Sequence, residues 1–451
     1  MPSSCIAVVS KCTVYPEHKS PNPKHLKLSV SDLPMLSCQY IQKGVLLPRP
    51  PLDSPDLISL LKLSLSQALS HFPPLAGRLH TDTQGHVYVS SNGEGVEFVH
   101  ARAPGLSSSL LLLPPRADVP PYFRAFFQYD HTLSYAGHSK PLLAVQVTEM
   151  GDAVFVACTM NHAVVDGTSF WNFFNTYAEI CRGVKRITRV PDFGRDTVFD
   201  SPEVLRFPVS GPAATFSGDA PIREKIFHFR REAIVKLKSR ANNGKPCNGA
   251  NGGGRLNGPA GLKNGTEISC FQSLCAQLWR SVTRARKLEG RKTTTFRMAI
   301  NCRHRLEPRL ETLYFGNAIQ SIPTVATAAE LLSRDLSWAA DRLHQNVVAH
   351  NDATVRRGIR EWESNPRVFP LGNFDGAMIT MGSSPRFPMY DNDFGWGRPL
   401  AVRSGNANKF DGKISAFPGR EGNGSIDLEV VLAPETMAGL EKDMEFMQYV
   451  S

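Results

Sequence analysis

The sequence predicts an α/β protein of two domains. At 451 residues the chain is longer than one hydrophobic core ordinarily supports. Apolar runs rich in β-branched residues occur beside stretches whose apolar residues recur at helical spacing. The clearest strand, 154–160, leads through a short turn into a helical pattern that begins near Gly167.

A region of weak periodicity, 191–222, separates the two predicted domains. Pro, Asp, Arg and Gly gather there, as in connections between domains. We therefore expect an N-terminal domain over 1–190 and a C-terminal domain over 223–451. Inside the second domain, 14 of the 25 residues in 241–265 are Gly or Asn, which predicts a flexible surface loop.

Composition excludes several classes of protein. The net charge is +10, from 51 basic and 41 acidic residues, which favours anionic small molecules or simply reflects a basic solvated surface. The chain has no block of five or six Lys or Arg and no run near 18 apolar residues, so neither nucleic acid nor a membrane is an expected partner. Its nine cysteines form no C-x-x-C pair and no secretory signal is visible, which predicts a cytoplasmic protein.

Cap and turn residues locate the main elements of the first domain. A helix is expected to begin with Ser54 as its cap, followed by Pro and Asp in the first turn. The apolar runs 142–148 and 153–160, joined by a short turn, predict a hairpin. In the helix that follows this hairpin, Thr168 or Ser169 is the expected cap.

Two capping boxes mark helix starts in the second domain. Ser269 and Gln272 have the spacing of one box, ahead of a clear apolar stripe. Thr327 and Glu330 have the same spacing and predict one long helix over about 328–348.

His162 is the first candidate for chemistry. It follows the carboxyl end of a buried strand, where clefts open, and a histidine titrates near neutral pH, which suits proton abstraction from a hydroxyl or amine. A packed, hydrogen-bonded histidine is the alternative. A metal site is not predicted, because His162 and Asp166 offer two ligands and no nearby cluster supplies the rest.

A second signal lies far along the chain, in Asp393-Phe394-Gly395-Trp396-Gly397 (hereafter the DFGWG motif). A protein kinase is excluded, since the glycine-rich loop with its strand lysine and the upstream His-Arg-Asp are missing. By itself the motif predicts a loop with two flexible joints and an aromatic anchor.

Together, His162-x-x-x-Asp166-Gly167 and the DFGWG motif resemble the paired signature of the plant BAHD acyltransferases. Further stretches resemble the family and extend the likeness over essentially the whole chain: 74–79, 276–286, 301–305, 314–317 and 427–440.

The resemblance implies an α/β fold of the CoA-dependent, chloramphenicol acetyltransferase-like type. Two similar-sized domains, each a mixed sheet with flanking helices, enclose a channel at their interface, with His162 in its middle. The implied enzyme is an acyltransferase of plant specialised metabolism that transfers groups other than amino-acyl groups (EC 2.3.1.-). Acyl-CoA is a co-substrate, no cofactor is permanently bound, and the expected state is a monomer.

The resemblance also implies roles for individual residues. His162 takes a proton from the acceptor, and the freed nucleophile attacks the thioester without a covalent enzyme intermediate. Asp166, followed by Gly167, points away from the substrate and pairs with an arginine, for which Arg303 is the candidate. The DFGWG motif is structural, and Ser269 at a helix start is a possible CoA contact.

One position departs from the family pattern. Many members have a Trp nine residues before the Asp of the DFGWG motif, where it helps to stabilise the oxyanion, and here that position is Ser384. Ser383, Ser384 and Tyr40 are the candidate oxyanion or substrate contacts.

The expected substrates are an aromatic acyl-CoA, of hydroxycinnamoyl or benzoyl type, and a small plant metabolite. The altered 383–384 region leaves a lyase or other non-transfer activity open, as well as a non-catalytic protein that binds a small ligand. The particular donor and acceptor, and the choice between oxygen and nitrogen acylation, do not follow from the sequence.

Overall fold

Two six-stranded mixed sheets, each covered by helices, organise the chain. The structure is a computed structural model that describes residues 6–19, 24–51, 53–112, 117–208, 211–216, 220–242 and 267–451. Numbered along the chain, the strands are β1 (Ala7–Val14), β2 (His25–Lys27), β3 (Ile41–Pro48), β4 (Arg78–Thr81), β5 (Val87–Ser90), β6 (Val96–Ala103), β7 (Leu143–Met150), β8 (Ala153–Met160), β9 (Arg223–Phe229), β10 (Thr293–Asn301), β11 (Ile319–Thr327), β12 (Met378–Met381), β13 (Ala401–Ser404), β14 (Lys413–Pro418) and β15 (Ile426–Leu432). The α-helices are α1 (Ser54–His71), α2 (Ser108–Leu112), α3 (Gly167–Cys181), α4 (Arg231–Ala241), α5 (Cys270–Ala285), α6 (Ala328–Ser333), α7 (Leu336–Ala349), α8 (Asp352–Glu363), α9 (Pro434–Glu441) and α10 (Met444–Met447).

The two large sheets are both mixed, as expected for the predicted fold. The first has the strand order β1-β6-β7-β8-β3-β13, with β6 and β7 parallel. The second has the order β11-β10-β12-β14-β15-β9, with β12 parallel to both of its neighbours. A small sheet, β2-β5-β4, lies beside them. The α/β class with helices around mixed sheets is confirmed.

The sheets do not divide the chain at a single point. β13 comes late in the sequence, yet it pairs antiparallel with β3, from Ala401 opposite Leu46 to Ser404 opposite Lys43. Residues that follow the DFGWG motif therefore complete the first sheet, whereas 223–451 was expected to belong to the second domain. The pairing joins segments that are far apart in sequence, so local patterns give no sign of it.

The predicted hairpin forms the centre of the first sheet. β7 and β8 pair antiparallel, with Leu143 opposite Met160, and every residue of β8 is buried. Alternate residues of β8 pack in two different apolar clusters, one on each face of the sheet, which explains its unbroken apolar run. The strand ends two residues before His162 and so fixes where the histidine emerges.

Helix starts follow the predicted positions, but three details differ. Asp166 caps α3 by accepting a hydrogen bond from the Ser169 N–H at 3.0 Å, so neither Thr168 nor Ser169 is the cap. Ser54 lies inside α1, where its hydroxyl donates to Glu149 and Asp53 precedes the helix.

The third difference is a break in the long helix expected over 328–348. The chain forms α6 and α7 instead, with an extended residue, Arg334, between them. Asp335 then caps α7 by accepting from the Trp338 N–H at 3.1 Å, and this local bond competes with continuation of the helix. The predicted capping boxes at Ser269 and Thr327 are both present.

Two further findings concern expectations about loops and membranes. The predicted flexible loop over 241–265 lies outside the described residues, apart from its first two positions at the end of α4. Over the ranges that the structure describes, no helix has the length and apolar character needed to cross a membrane.

The DFGWG motif packs against α3, the helix that follows His162. Phe394 is 1% exposed, and its ring centroid lies 5.1 Å from Tyr177 and 6.1 Å from Phe174. Arg182, just after α3, donates to the Asp393 carbonyl at 2.8 Å. These contacts involve the last part of α3, so the motif supports the helix at the end remote from His162.

We predict that Phe394→Ala destabilises the protein strongly, because removing a fully buried aromatic ring costs about 3–5 kcal/mol. Trp396 is half-buried, so Trp396→Ala should have a smaller effect of the same sign. Thermal unfolding of both variants measures which substitution lowers the melting temperature more. Phe374→Ala is the control, since its ring is 58% exposed and should be nearly neutral. Equal melting temperatures for Phe394→Ala and Phe374→Ala would contradict the structural role of the motif.

Candidate active site

The backbone of His162 is fixed by both halves of the chain. Its N–H donates to the Ser134 hydroxyl at 3.0 Å, and its carbonyl accepts from the Asn317 side chain at 2.8 Å. Asn161, which is fully buried, donates to the Ser134 carbonyl at 2.7 Å and accepts from the Ala163 N–H at 3.0 Å. These bonds hold the turn after β8 in place and leave the imidazole uncommitted.

The imidazole of His162 is half-buried, and its Nδ1 is buried without a hydrogen-bond partner of ordinary geometry among the described residues. Burial lowers the pKa of His162 below its usual value, and the nearby Lys413 cation lowers it further, while Asp166 opposes the shift. The ring is therefore neutral at pH 7 and able to accept a proton.

Asp166 is fully engaged in a buried ion pair with Arg303. Arg303 Nη1 lies 2.6 Å from Asp166 Oδ2, Nη2 lies 3.1 Å from Oδ1, and the two side chains are 0% and 1% exposed. Oδ2 also accepts from the Ala318 N–H at 3.2 Å. Arg303 in turn donates to the carbonyls of Tyr314 and Gly316 at 2.9 and 3.0 Å. The carboxylate therefore has no free position for a metal or a substrate.

Gly167 allows the 382–388 segment to approach the start of α3. A Cβ at this position would lie 2.6 Å from the ring of Phe387. The ring thus packs directly on the backbone just after Asp166. Sequence reasoning did not identify Phe387 as a site residue, although this aromatic residue follows closely after Ser384, the position that departs from the family pattern.

Ser383 and Ser384 follow β12 and are both half-buried. The Ser384 hydroxyl oxygen accepts from the Arg386 N–H at 3.3 Å, which holds a local turn. Phe387 brings this segment to the first turn of α3, so both serines belong to the part of the chain that packs near His162.

Tyr40 and Ser269 are placed differently. Tyr40 is 0% exposed and its hydroxyl donates to the Pro141 carbonyl at 3.1 Å, so it lies inside the protein, next to Asn161. Ser269 uses its hydroxyl oxygen to cap α5 among the helices of the second sheet. No contact between described residues links Ser269 to His162.

Among the residues that the structure describes, no group of three or more His, Cys, Asp or Glu side chains is arranged to hold a metal ion.

Lys413 is a residue near the site that sequence reasoning missed. It begins β14. Its ammonium contacts Gly382 so closely that a Cβ added to this glycine would overlap the Lys413 Nζ. Burial lowers its pKa to about 8. The available signal was a lysine at the start of an otherwise apolar strand, because lysine side chains are rarely buried unless they are paired.

Comparison with known proteins agrees with this geometry. The model of the Transferase family matches residues 5–447. An uncharacterized acetyltransferase of Arabidopsis thaliana is 34% identical over 94% of both chains. BAHD acyltransferase DCR, from the same plant, is 33% identical over 98% of this chain and 92% of its own. Shikimate O-hydroxycinnamoyltransferase of Nicotiana tabacum is 28% identical over 87% and 89%.

Solved structures show the same fold. Vinorine synthase superposes with a TM-score of 0.75 at 23% identity, covering 99% of this chain and 98% of that one. TRI101 of F. sporotrichioides, solved with coenzyme A and T-2, has a TM-score of 0.73 at 19% identity, over 95% and 99%. The match over nearly the full length, the paired motifs and the buried Asp166–Arg303 bridge lead to one conclusion: the chain belongs to the plant BAHD acyltransferase family.

Proposed function

We propose that this acyltransferase moves an aromatic acyl group, of hydroxycinnamoyl or benzoyl type, from CoA to a hydroxyl or amine of a small plant metabolite. The observation that carries the proposal is His162, a half-buried imidazole with a lowered pKa, whose backbone is held by hydrogen bonds from both halves of the chain. The relative that acts as a hydroxycinnamoyltransferase supports the aromatic donor, and the CoA-bound structural neighbour supports acyl-CoA as co-substrate.

In the proposed mechanism His162 acts as general base. Nε2 takes the proton of the acceptor hydroxyl or amine while that oxygen or nitrogen attacks the thioester carbonyl carbon. The tetrahedral oxyanion collapses, the carbon–sulfur bond breaks, and the imidazolium returns its proton to the departing CoA thiolate. Ser383 and Ser384 are proposed as hydrogen-bond donors to the oxyanion, and Ser269 as a contact for a CoA phosphate. We further propose a cytoplasmic monomer that needs no permanently bound cofactor.

We predict that His162→Ala lowers the transfer rate by about 10²–10⁴-fold, the usual contribution of a general base. The melting temperature should change little, because backbone atoms make the hydrogen bonds of this residue. The measurement is release of free CoA thiol from a panel of acyl-CoAs mixed with plant hydroxyls and amines.

His304→Ala is the matched control, since that histidine is exposed. Equal rates for the two alanine variants would remove His162 from the base role. Cleavage of an acceptor without any acyl-CoA would instead favour the lyase alternative.

We expect the acid limb of the kcat/KM profile to lie below pH 6.5, the usual pKa of a histidine, because the pKa of His162 is lowered. Activity is then full above this limb and falls as the pH drops through it, when the ring becomes protonated. Enzyme held at the lowest pH and returned to pH 7.5 should regain its activity, which separates titration from unfolding. An acid limb above pH 6.5 would contradict the prediction.

Asp166→Ala should destabilise the protein by about 3–5 kcal/mol, because it leaves the Arg303 cation buried and unpaired. The double variant Asp166→Ala/Arg303→Met removes that cation and should melt at a higher temperature than Asp166→Ala alone. Thermal unfolding of the two single variants and the double variant measures this coupling. Strict additivity of the two substitutions would show that the ion pair contributes nothing.

A further inference from the structure

Lys413 presents a cation to the space beside His162. The lysine lies between two strands of the second sheet, opposite Thr380 of β12 and Val431 of β15. Its ammonium lies over Gly382, an exposed residue that directly precedes Ser383. The segment that begins at Gly382 packs through Phe387 on Gly167, at the start of the helix that follows His162, and the Lys413 cation also contributes to lowering the pKa of His162. The ammonium therefore lies at the same part of the site as the proposed base.

None of the described side chains forms a hydrogen bond or an ion pair with the Lys413 ammonium, and charged groups act on it only from a longer distance. The nearby Cys38 thiol offers no counter-charge, because burial raises its pKa to about 12. Glu429, an acid whose charge acts on Lys413, is bound by the Ser404 hydroxyl and lies 3.6 Å from the Lys409 ammonium.

Two neighbouring lysines show the contrast. Lys43 Nζ lies 4.7 Å above the Phe417 ring, in a cation–π contact. Lys409 pairs with Glu224 as well as Glu429. The half-buried Lys413 ammonium has no such close partner, and an ammonium that is partly desolvated without a counter-charge favours an anionic ligand.

Positive charges outnumber negative ones around Lys413. Lys43, Lys409 and Lys413 face two carboxylates, and burial raises the pKa of one of these, Glu224, to about 7. The cluster therefore keeps a net positive charge at neutral pH, and its two carboxylates are already engaged by Lys409 and Ser404.

We propose that Lys413 binds a carboxylate carried by one of the two substrates, either on the acyl acceptor or on the acyl group, close to the reacting atoms. The inference rests on one part of the proposed function, acyl transfer at His162, where acceptor and thioester meet, and it does not depend on an aromatic donor. A carboxylate fits better than a CoA phosphate, because the phosphates lie at the opposite end of the pantetheine arm from the thioester. The ammonium donates hydrogen bonds to the carboxylate oxygens and orients the substrate.

Kinetics with paired substrates test the proposal and identify the source of the carboxylate. One arm compares hydroxy acids with their methyl esters as acceptors, with one acyl-CoA. The other compares malonyl- and succinyl-CoA with acetyl- and butyryl-CoA, with one acceptor. In one of the two arms we expect the wild type to prefer the substrate that carries the carboxylate. Lys413→Met should lower kcat/KM for that substrate by about 10–100-fold. For the matching neutral substrate, kcat/KM of Lys413→Met should stay within about threefold of the wild-type value.

Lys43→Met is the matched control, since it removes a neighbouring positive charge that already has an aromatic partner. It should keep the preference for the carboxylate. The assignment would be overturned if Lys43→Met lost that preference to the same extent as Lys413→Met. The summed positive electrostatic field of the lysines would then account for the preference for the carboxylate.

Gly382→Ala provides a second test that leaves every charge in place. The new methyl group would displace the flexible end of Lys413, so the same carboxylate substrate should lose activity selectively. Without substrate, Lys413→Met should melt at or above the wild-type temperature, because an unpaired charge has been removed.

A lower melting temperature in Lys413→Met, with equal losses for charged and neutral substrates, would show a structural role and overturn the proposal. The proposal would also be overturned if the wild type preferred the neutral substrate in both arms, or if it turned over no substrate that carries a carboxylate. These results differ from failure of the proposed function, in which thiol release would persist in His162→Ala.

Discussion

The candidate site depends on the buried bridge between Asp166 and Arg303. The two residues come from different halves of the chain, and their charged groups are almost completely excluded from water. A buried pair of this kind often adds little net stability over apolar residues of the same size, whereas losing one partner is costly. Its main consequence here is geometric, since each carboxylate oxygen has fixed donors and Asp166 also caps α3. The turn that presents His162 therefore has only one favourable position.

The helix α3 explains why two motifs so far apart in sequence belong together. Its first turn is fixed by Asp166, while its last turns are covered by Phe394 of the DFGWG motif. Ten residues of helix span about 15 Å. The second motif therefore reaches the site through the rigidity of α3, and the segment just before it, 382–388, reaches the site directly through Phe387.

Local patterns predicted what local interactions determine. The β7–β8 hairpin and the box at Ser269 depend on neighbouring residues, so they could be read from the sequence. The cap of α3 could not, because Asp166 competes with Thr168 and Ser169 for it, and its orientation is set by an arginine far along the chain. The pairing of β13 with β3 and the exposure of Lys413 to the site likewise arise from packing between distant segments.

Burial and charge together determine when His162, the proposed base, is free of a proton. Desolvation and the Lys413 cation both favour the neutral ring before substrate arrives, which keeps the base free of a proton but also makes it weak. A carboxylate bound to Lys413 would offset the positive charge beside the ring, so the pKa of His162 would rise in the complex. The imidazole would then become more basic at the stage when a proton has to be taken from the acceptor. On this argument the lysine that we propose to bind a substrate carboxylate would also make the basicity of His162 depend on the presence of that substrate.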